Sequence, residues 1–262
     1  MRCFTFASIK GGVGKTTLAS HVAAALADQG KPTLVMDLDP QGHSSAIAGV
    51  ELEPEAPCLG DALIPHSRTK LRDVVRPTGR ENLSVAPSGA RMITLERDLF
   101  RWGHRLDCIP RAMTTLDEAP EALVVDTPPQ INAFTEAALA VADVVVVPVP
   151  AMAHALQGLD EIFAAWQDVT VVPGSAMVIV INLWDRRTSA TNSAMEETFQ
   201  SLGLPVKVLD QRIVRAEVLN QAGLDLTLVF DYAPRSEVAE ALADLASALW
   251  RRAGQVARKR PA

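Results

Sequence analysis

The stretch Lys10-Gly11-Gly12-Val13-Gly14-Lys15-Thr16-Thr17 follows a short apolar run, Cys3 to Ile9, and is built like a turn that holds a polyphosphate. Glycine lets the backbone bend tightly and bring its N–H groups up to an anion, where a Cβ would stand in the way. Lys15 is placed to set a point charge between the β- and γ-phosphates and Thr16 to offer a hydroxyl to Mg2+, while the helix opening here turns its positive end to the anion. The G-x-x-x-x-G-K-[ST] pattern is met only loosely, because Gly11 and Gly14 are three apart and Lys10 stands five residues before Lys15.

Two other strings end in acids. Thr33 to Met36 reads as a short buried strand delivering Asp37-Leu38-Asp39-Pro40-Gln41-Gly42 at its carboxyl end, where ligands of open α/β sheets sit. Carboxylates at i and i+2 also serve as turn and cap residues; beside a phosphate loop they read as groups that organise water and Mg2+. Ala122-Leu123-Val124-Val125 is a continuous apolar run closed by Asp126-Thr127-Pro128-Pro129, the pattern of a central parallel strand whose terminal acid holds Mg2+, commonly through water. A further strand, Ala176 to Leu183, runs into Asn182-Leu183-Trp184-Asp185-Arg186-Arg187-Thr188. Its asparagine either caps the turn or presents an amide matching the donor and acceptor of an adenine edge. Arg186, Arg187, Arg212 and Arg215 are expected in two loops at the same end of adjacent strands, either as solvated charge paired with Glu217 or as a phosphate-contacting surface.

These groups need a scaffold, and the spacing of apolar residues supplies one. Leu18, Val22 and Leu26 recur every four residues among alanines, which predicts a helix ending near Gly30. Leu83 to Ala86 and Val144 to Val149 read as strands, and Phe134 to Val141 as a helix. Ala155-Leu156-Gln157-Gly158-Leu159 opens an amphipathic helix, and Arg235 to Trp250 carries Val238, Leu242, Leu245 and Leu249 at 4-3-4 spacing. Residues 43 to 121 show only short helical patterns, around Gly60 to Leu63 and Ile93 to Phe100, and no site residue is assigned there. Strand and helix alternate throughout, so the expectation is one α/β domain over residues 1 to 252, a doubly wound, mostly parallel sheet flanked by helices.

Composition narrows the class. The chain has 262 residues, 48% hydrophobic and 21% charged, enough for one large α/β core. No apolar run approaches 18 residues and the chain leads straight into the phosphate motif, so a cytoplasmic protein is expected. Cys3, Cys58 and Cys108 are too scattered for a disulfide framework or a metal site. The net charge is −6, yet Arg251, Arg252, Arg258, Lys259 and Arg260 crowd the end of the chain without an acid. Residues 253 to 262 are therefore expected as a flexible basic tail, either solvated or in contact with phosphates.

The string KGGVGKTT, together with DLDPQG and the strand ending in Asp126, resembles the ParA/MinD class of P-loop ATPases, whose phosphate loop is a deviant Walker A motif. The likeness covers nearly the whole chain and is diffuse from 43 to 121. It implies that Lys10 reaches across a dimer interface to the partner's nucleotide, that Asp39 orients the attacking water, that Asp37 lies nearer the metal's hydration shell, and that Asp126 is the Walker B acid. It also implies ATP or ADP with Mg2+ on residues 10 to 17, an adenine contact at Asn182, a second base-side segment at Gln211-Arg212, and nonspecific double-stranded DNA bound through Arg186, Arg187 and Arg215. Gln130 and the Asp210-Gln211-Arg212 string depart from the usual family pattern. The partners implied are a second copy of the chain and a ParB-like or cargo-adaptor activator, with a nucleoid location in a bacterial cytoplasm. No DNA-reading helix-turn-helix precedes the loop, so sequence-specific operator binding is not expected. The alternatives are a MinD-like membrane-surface ATPase regulating division-site placement, an iron–sulfur reductase, which needs two bridging cysteines per subunit, and a small-molecule kinase, which has no use for Lys10. The last twelve residues offer only Val256 as a sizeable apolar side chain, too little for a helix lying in a membrane interface.

Overall fold

Strands buried on both faces need apolar side chains in unbroken runs, and the runs seen in the sequence become strands in the computed structural model. The strands are Arg2–Phe6 (β1), Thr33–Asp37 (β2), Arg76–Pro77 (β3), Leu83–Ala86 (β4), Ala122–Asp126 (β5), Val144–Pro150 (β6), Ala176–Trp184 (β7) and Lys207–Val214 (β8). They form one eight-stranded sheet in the order β3-β4-β2-β5-β1-β6-β7-β8. All neighbouring pairs are parallel except β3 with β4. The structure describes residues 1–53, 55–89, 91–103, 105–152, 156–201, 203 and 205–258. Ala155, Lys259 and Arg260, which figured in the expectations above, lie outside the described residues.

Alternation along each strand sorts side chains between two helical layers. Ala122 and Val124 of β5 join one cluster and Leu123 and Val125 another. The first layer holds Lys15–Asp28 (α1), His43–Ile47 (α2), Glu217–Leu224 (α10), Val229–Tyr232 (α11) and Glu237–Ala257 (α12). The opposite face is covered by Leu59–Leu63 (α3), Leu71–Val74 (α4), Arg91–Trp102 (α5), Cys108–Met113 (α6), Ala133–Val141 (α7), Leu159–Val169 (α8) and Ser189–Ser201 (α9). The result is the doubly wound α/β/α sandwich the sequence implied.

Helix α1 is rich in alanine because it packs between the sheet and α12, and every residue from Leu18 to Ala27 is buried. The 4-3-4 residues of α12, Val238, Leu242, Leu245 and Leu249, are all buried, each stabilising the fold by about 2 kcal/mol. That helix continues beyond the boundary expected at residue 252. It runs to Ala257 and buries Ala253 and Val256, with Gly254 packed on the Arg2 side chain. Two apolar residues of the stretch expected as tail, Ala253 and Val256, thus find the core. Both sheet edges are irregular: β3 has two residues, one of them Pro77, and the pairing of β8 with β7 shifts register twice.

The sheet places the carboxyl ends of β1, β2 and β5 side by side. Asp37 and Asp126 are register partners, the last residues of adjacent strands.

Candidate functional site

The loop after β1 turns through left-handed backbone at Gly12 (φ 73°) and at Gly14 (φ 87°), the residue that caps α1. A Cβ on Gly14 would lie 2.2 Å from the Asn182 amide nitrogen, so glycine is required there for space as well as for φ. Gly11 and Gly12 are exposed and have nothing within 4 Å of where a Cβ would point. Among the described residues, no hydrogen bond uses the N–H groups from Gly11 to Thr17. A row of open amides running into the N-terminus of a 14-residue helix fits a bound polyphosphate. Thr16 is half-buried in the first turn of α1.

The two lysines of the loop differ. Lys15 is 6% exposed and donates from Nζ to Asp126 Oδ1 at 2.9 Å. Lys10 is half-buried, its backbone N–H donating to Ser8 Oγ at 3.2 Å, and its ammonium makes no ion pair among the described residues.

The acids are held by hydroxyls. Ser44 donates to Asp126 Oδ2 at 2.6 Å, and Ser45 donates both its N–H and its hydroxyl to Asp37 Oδ2, at 2.8 and 2.7 Å. Burial, reinforced by the nearby Asp126 charge, pushes the Asp37 carboxyl up to about 7 against the pull of the Ser45 bonds. Asp39 accepts the Gln41 N–H on Oδ1 at 3.0 Å, a turn contact, and its other oxygen has no partner among the described residues. No three of the described His, Cys, Asp or Glu side chains enclose a metal site, so the carboxylates alone do not make a cage for a cation.

On the other side of the loop, Asn182 is 3% exposed and donates from Nδ2 to Val13 O at 2.7 Å. The asparagine therefore braces the phosphate loop from the end of β7. Arg212 was expected in a loop, but both it and Gln211 lie within β8, where Leu209 and Ile213 are buried, Asp210 is exposed and Gln211 and Arg212 are half-buried. Arg212 sits opposite Ile181, with its guanidinium 5.8 Å from the Trp184 ring centre, a stacked edge-strand contact. Arg186, Arg187 and Arg215 do gather: Arg215 N–H donates to Trp184 O at 2.9 Å, and all three line a cavity of about 420 Å3 with Trp184, Asp185 and Glu237. Arg186 pairs with Glu237, and Arg187 with Asp185 at 2.7 Å, not with Glu217. The hydrogen bonds from Arg187 hold the Asp185 carboxyl down at about 2.

Three buried residues of this region went unassigned in the sequence. Ser44 and Ser45 left a signal, a pair of hydroxyls opening a helix just after Asp-Leu-Asp-Pro-Gln-Gly. His21 left none, being a single ring in an alanine-rich helix. Its Nε2 accepts the Val229 N–H at 2.9 Å, which puts the proton on Nδ1, 2.7 Å from Thr17 O. Burial pushes its pKa down to about 4, and the ring packs on Phe230, tying the phosphate-loop helix to α11. The three cysteines are buried and form no disulfide among the described residues, and burial pushes the Cys108 thiol up to about 12.

With this geometry in hand, residues 1–173 match the family described as an AAA domain, AAA_31. The sporulation initiation inhibitor protein Soj of Bacillus subtilis is 31% identical over 241 residues, 90% of this chain and 93% of Soj. Among solved structures, a cobyrinic acid a,c-diamide synthase from Mycobacterium smegmatis with bound ATP analogue and magnesium has a TM-score of 0.82 at 25% identity, covering 100% of this chain and 98% of that one. The apo form of McdA from Cyanothece has a TM-score of 0.80 at 20% identity, covering 93% and 98%, a likeness of fold.

Proposed function

Because this chain belongs to the AAA_31 family, and within it to the ParA/MinD-type P-loop ATPases, we propose that it is an ATP-dependent dimerising switch that positions a cargo on DNA. The observation that carries the reading is the run of amides from Gly11 to Thr17, without partners among the described residues, converging with Lys15 beside two strand-end acids. These amides and Lys15 would hold the phosphates of ATP or ADP, and Asn182 would keep the loop in shape beside the base. Thr16 would ligate Mg2+, with Asp37 and Asp126 reached through its water. The ion's chemistry is to neutralise charge developing on the β- and γ-oxygens.

The chain's own residues account for the rest of the cycle. Lys15 exchanges Asp126 for phosphate oxygens when nucleotide enters, so the loop is charge-balanced in both states. Asp39 is nearly buried and keeps one oxygen without a partner among the described residues, suited to orient the attacking water. Lys10, which makes no ion pair among the described residues, reaches the partner's phosphates when two copies meet face to face. The closed dimer doubles the exposed Arg186, Arg187 and Arg215, giving nonspecific, salt-sensitive contact with duplex DNA. Hydrolysis, stimulated by a ParB-like or adaptor protein on a plasmid, chromosome region or protein assembly, releases the dimer. This reading is favoured over a membrane-surface ATPase because Val256, the last large apolar residue of α12, is buried against the fold together with Ala253.

Sedimentation with Mg2+ and a non-hydrolysable ATP analogue tests it. Wild type is expected to become a dimer and Lys10→Ala to bind nucleotide but stay single. A wild-type protein that stays monomeric with nucleotide bound removes the switch.

A further inference from the structure

Asp126 has two partners on its two oxygens, and the proposed nucleotide would take only one of them away. Lys15 holds Oδ1 at 2.9 Å and Ser44 holds Oδ2 at 2.6 Å, with Asp126 and Ser44 both fully buried. Ser44 is itself fixed: it lies in the first turn of α2, 3.5 Å from the Ser20 hydroxyl of α1, beside Ser45 with its two bonds to Asp37. Ser45 Oγ also accepts the Ser88 N–H at 3.2 Å, so the start of α2 is anchored to β2, to β5 and to the segment after β4. A buried carboxylate stripped of that cation would otherwise be free to turn about its side-chain torsions.

We propose that Ser44 is a positioning residue for Asp126: it keeps hold of Oδ2 while Lys15 leaves, so that Oδ1 stays aimed at the point the lysine vacates and is ready to accept from metal-bound water. The assignment rests on the nucleotide and Mg2+ reading above. It goes beyond it by naming a hydroxyl on α2, outside the phosphate loop and both acid strings, as the group that sets how well the site uses its metal. A hydrogen bond to a charged, buried acceptor is of the strong kind, and partners behind metal-binding acids commonly change metal affinity by roughly 10–100-fold.

The test measures ADP affinity of the full chain by calorimetry, once with a chelator and once with millimolar Mg2+, in wild type, Ser44→Ala and Ser44→Thr. Circular dichroism and a thermal melt establish that each variant is folded. Ser44→Ala is expected to bind ADP as wild type does in chelator, within about twofold, while the tightening given by Mg2+ shrinks about tenfold. Ser44→Thr, which keeps the hydroxyl, recovers most of it. Undiminished Mg2+ tightening in Ser44→Ala overturns the proposal, and so does an equal loss with and without Mg2+, the mark of a merely structural hydroxyl. A wild type that binds ADP with no response to Mg2+ overturns the metal reading and this assignment together, and is recognised from the wild-type titration alone.

Discussion

The carboxyl ends of the strands carry two charged clusters, and they are built on opposite principles. At β1, β2 and β5, Lys15, Asp37 and Asp126 are desolvated, and Lys15, Ser44 and Ser45 each supply a definite hydrogen bond to an acid. At β7 and β8, Arg186, Arg187 and Arg215 stand in solvent, two of them paired with Glu237 and Asp185. Buried charge must be matched at fixed geometry because an unmatched ion there costs several kcal/mol. Exposed pairs are worth little, since water and salt do most of the screening. The first cluster is therefore suited to recognising one ligand in one pose, and the second to gripping a polyanion in many.

The largest effect that separates the two should come from Lys15→Ala. It is expected to reduce nucleotide affinity by at least about a hundredfold, and to destabilise the nucleotide-free protein by on the order of 3 kcal/mol by leaving Asp126 without its cation. Calorimetry and denaturant melts check both. A variant as stable as wild type would show that the buried cluster is no more dependent on pairing than the exposed one.

Next comes acid sensitivity, which should reside in buried groups. His21 is neutral in the fold down to about pH 4, whereas its unfolded value is 6.5. Between those limits the unfolded chain binds a proton the folded one refuses, so stability falls as pH drops, by up to about 3 kcal/mol. Asp37 acts in the other direction, because burial and the nearby Asp126 charge raise its carboxyl in the fold. The measurement is therefore the difference between wild type and His21→Gln in urea melts from pH 7.5 to 4. The difference should change with pH across that range, and a constant offset would mean that the ring is not held neutral.

The smallest effect is expected at the exposed cluster. Replacing Arg187 and Arg215 by Glu should lower DNA affinity about tenfold at low salt, reduce the salt slope by roughly 2 to 4 per dimer, and leave ATP-dependent dimerisation intact. Gel shifts across a salt series read this directly. Unchanged retention would move the DNA contact away from the β7–β8 end.

How far the sequence revealed these clusters follows from what each is made of. The strand-end acids are legible because a continuous apolar run such as Ala122 to Val125 has only one way to stop, and a charged residue stops it visibly. The loop is legible because the glycines at 12 and 14 answer a demand for left-handed backbone that few other residues meet. Ser44 and Ser45 were missed because a serine's role depends on what lies across space, and α2 meets β5 only after the sheet has formed. Arg212 was misplaced for a related reason. An edge strand buries little, so β8 carries Asp210-Gln211-Arg212 between its two apolar pairs and lacks the apolar run that marks β6 or β7. The last turn of α12 resembles a tail in sequence because five basic side chains surround Ala253 and Val256, whose weight shows only in packing.

The two irregular margins of the sheet carry one further implication. A two-residue strand with a proline on one side and a register-shifted strand on the other offer no straight ladder of free peptide groups for another chain to lengthen. Any higher assembly of this protein must then join through side chains on its faces, rather than by setting into a continuous β-ribbon.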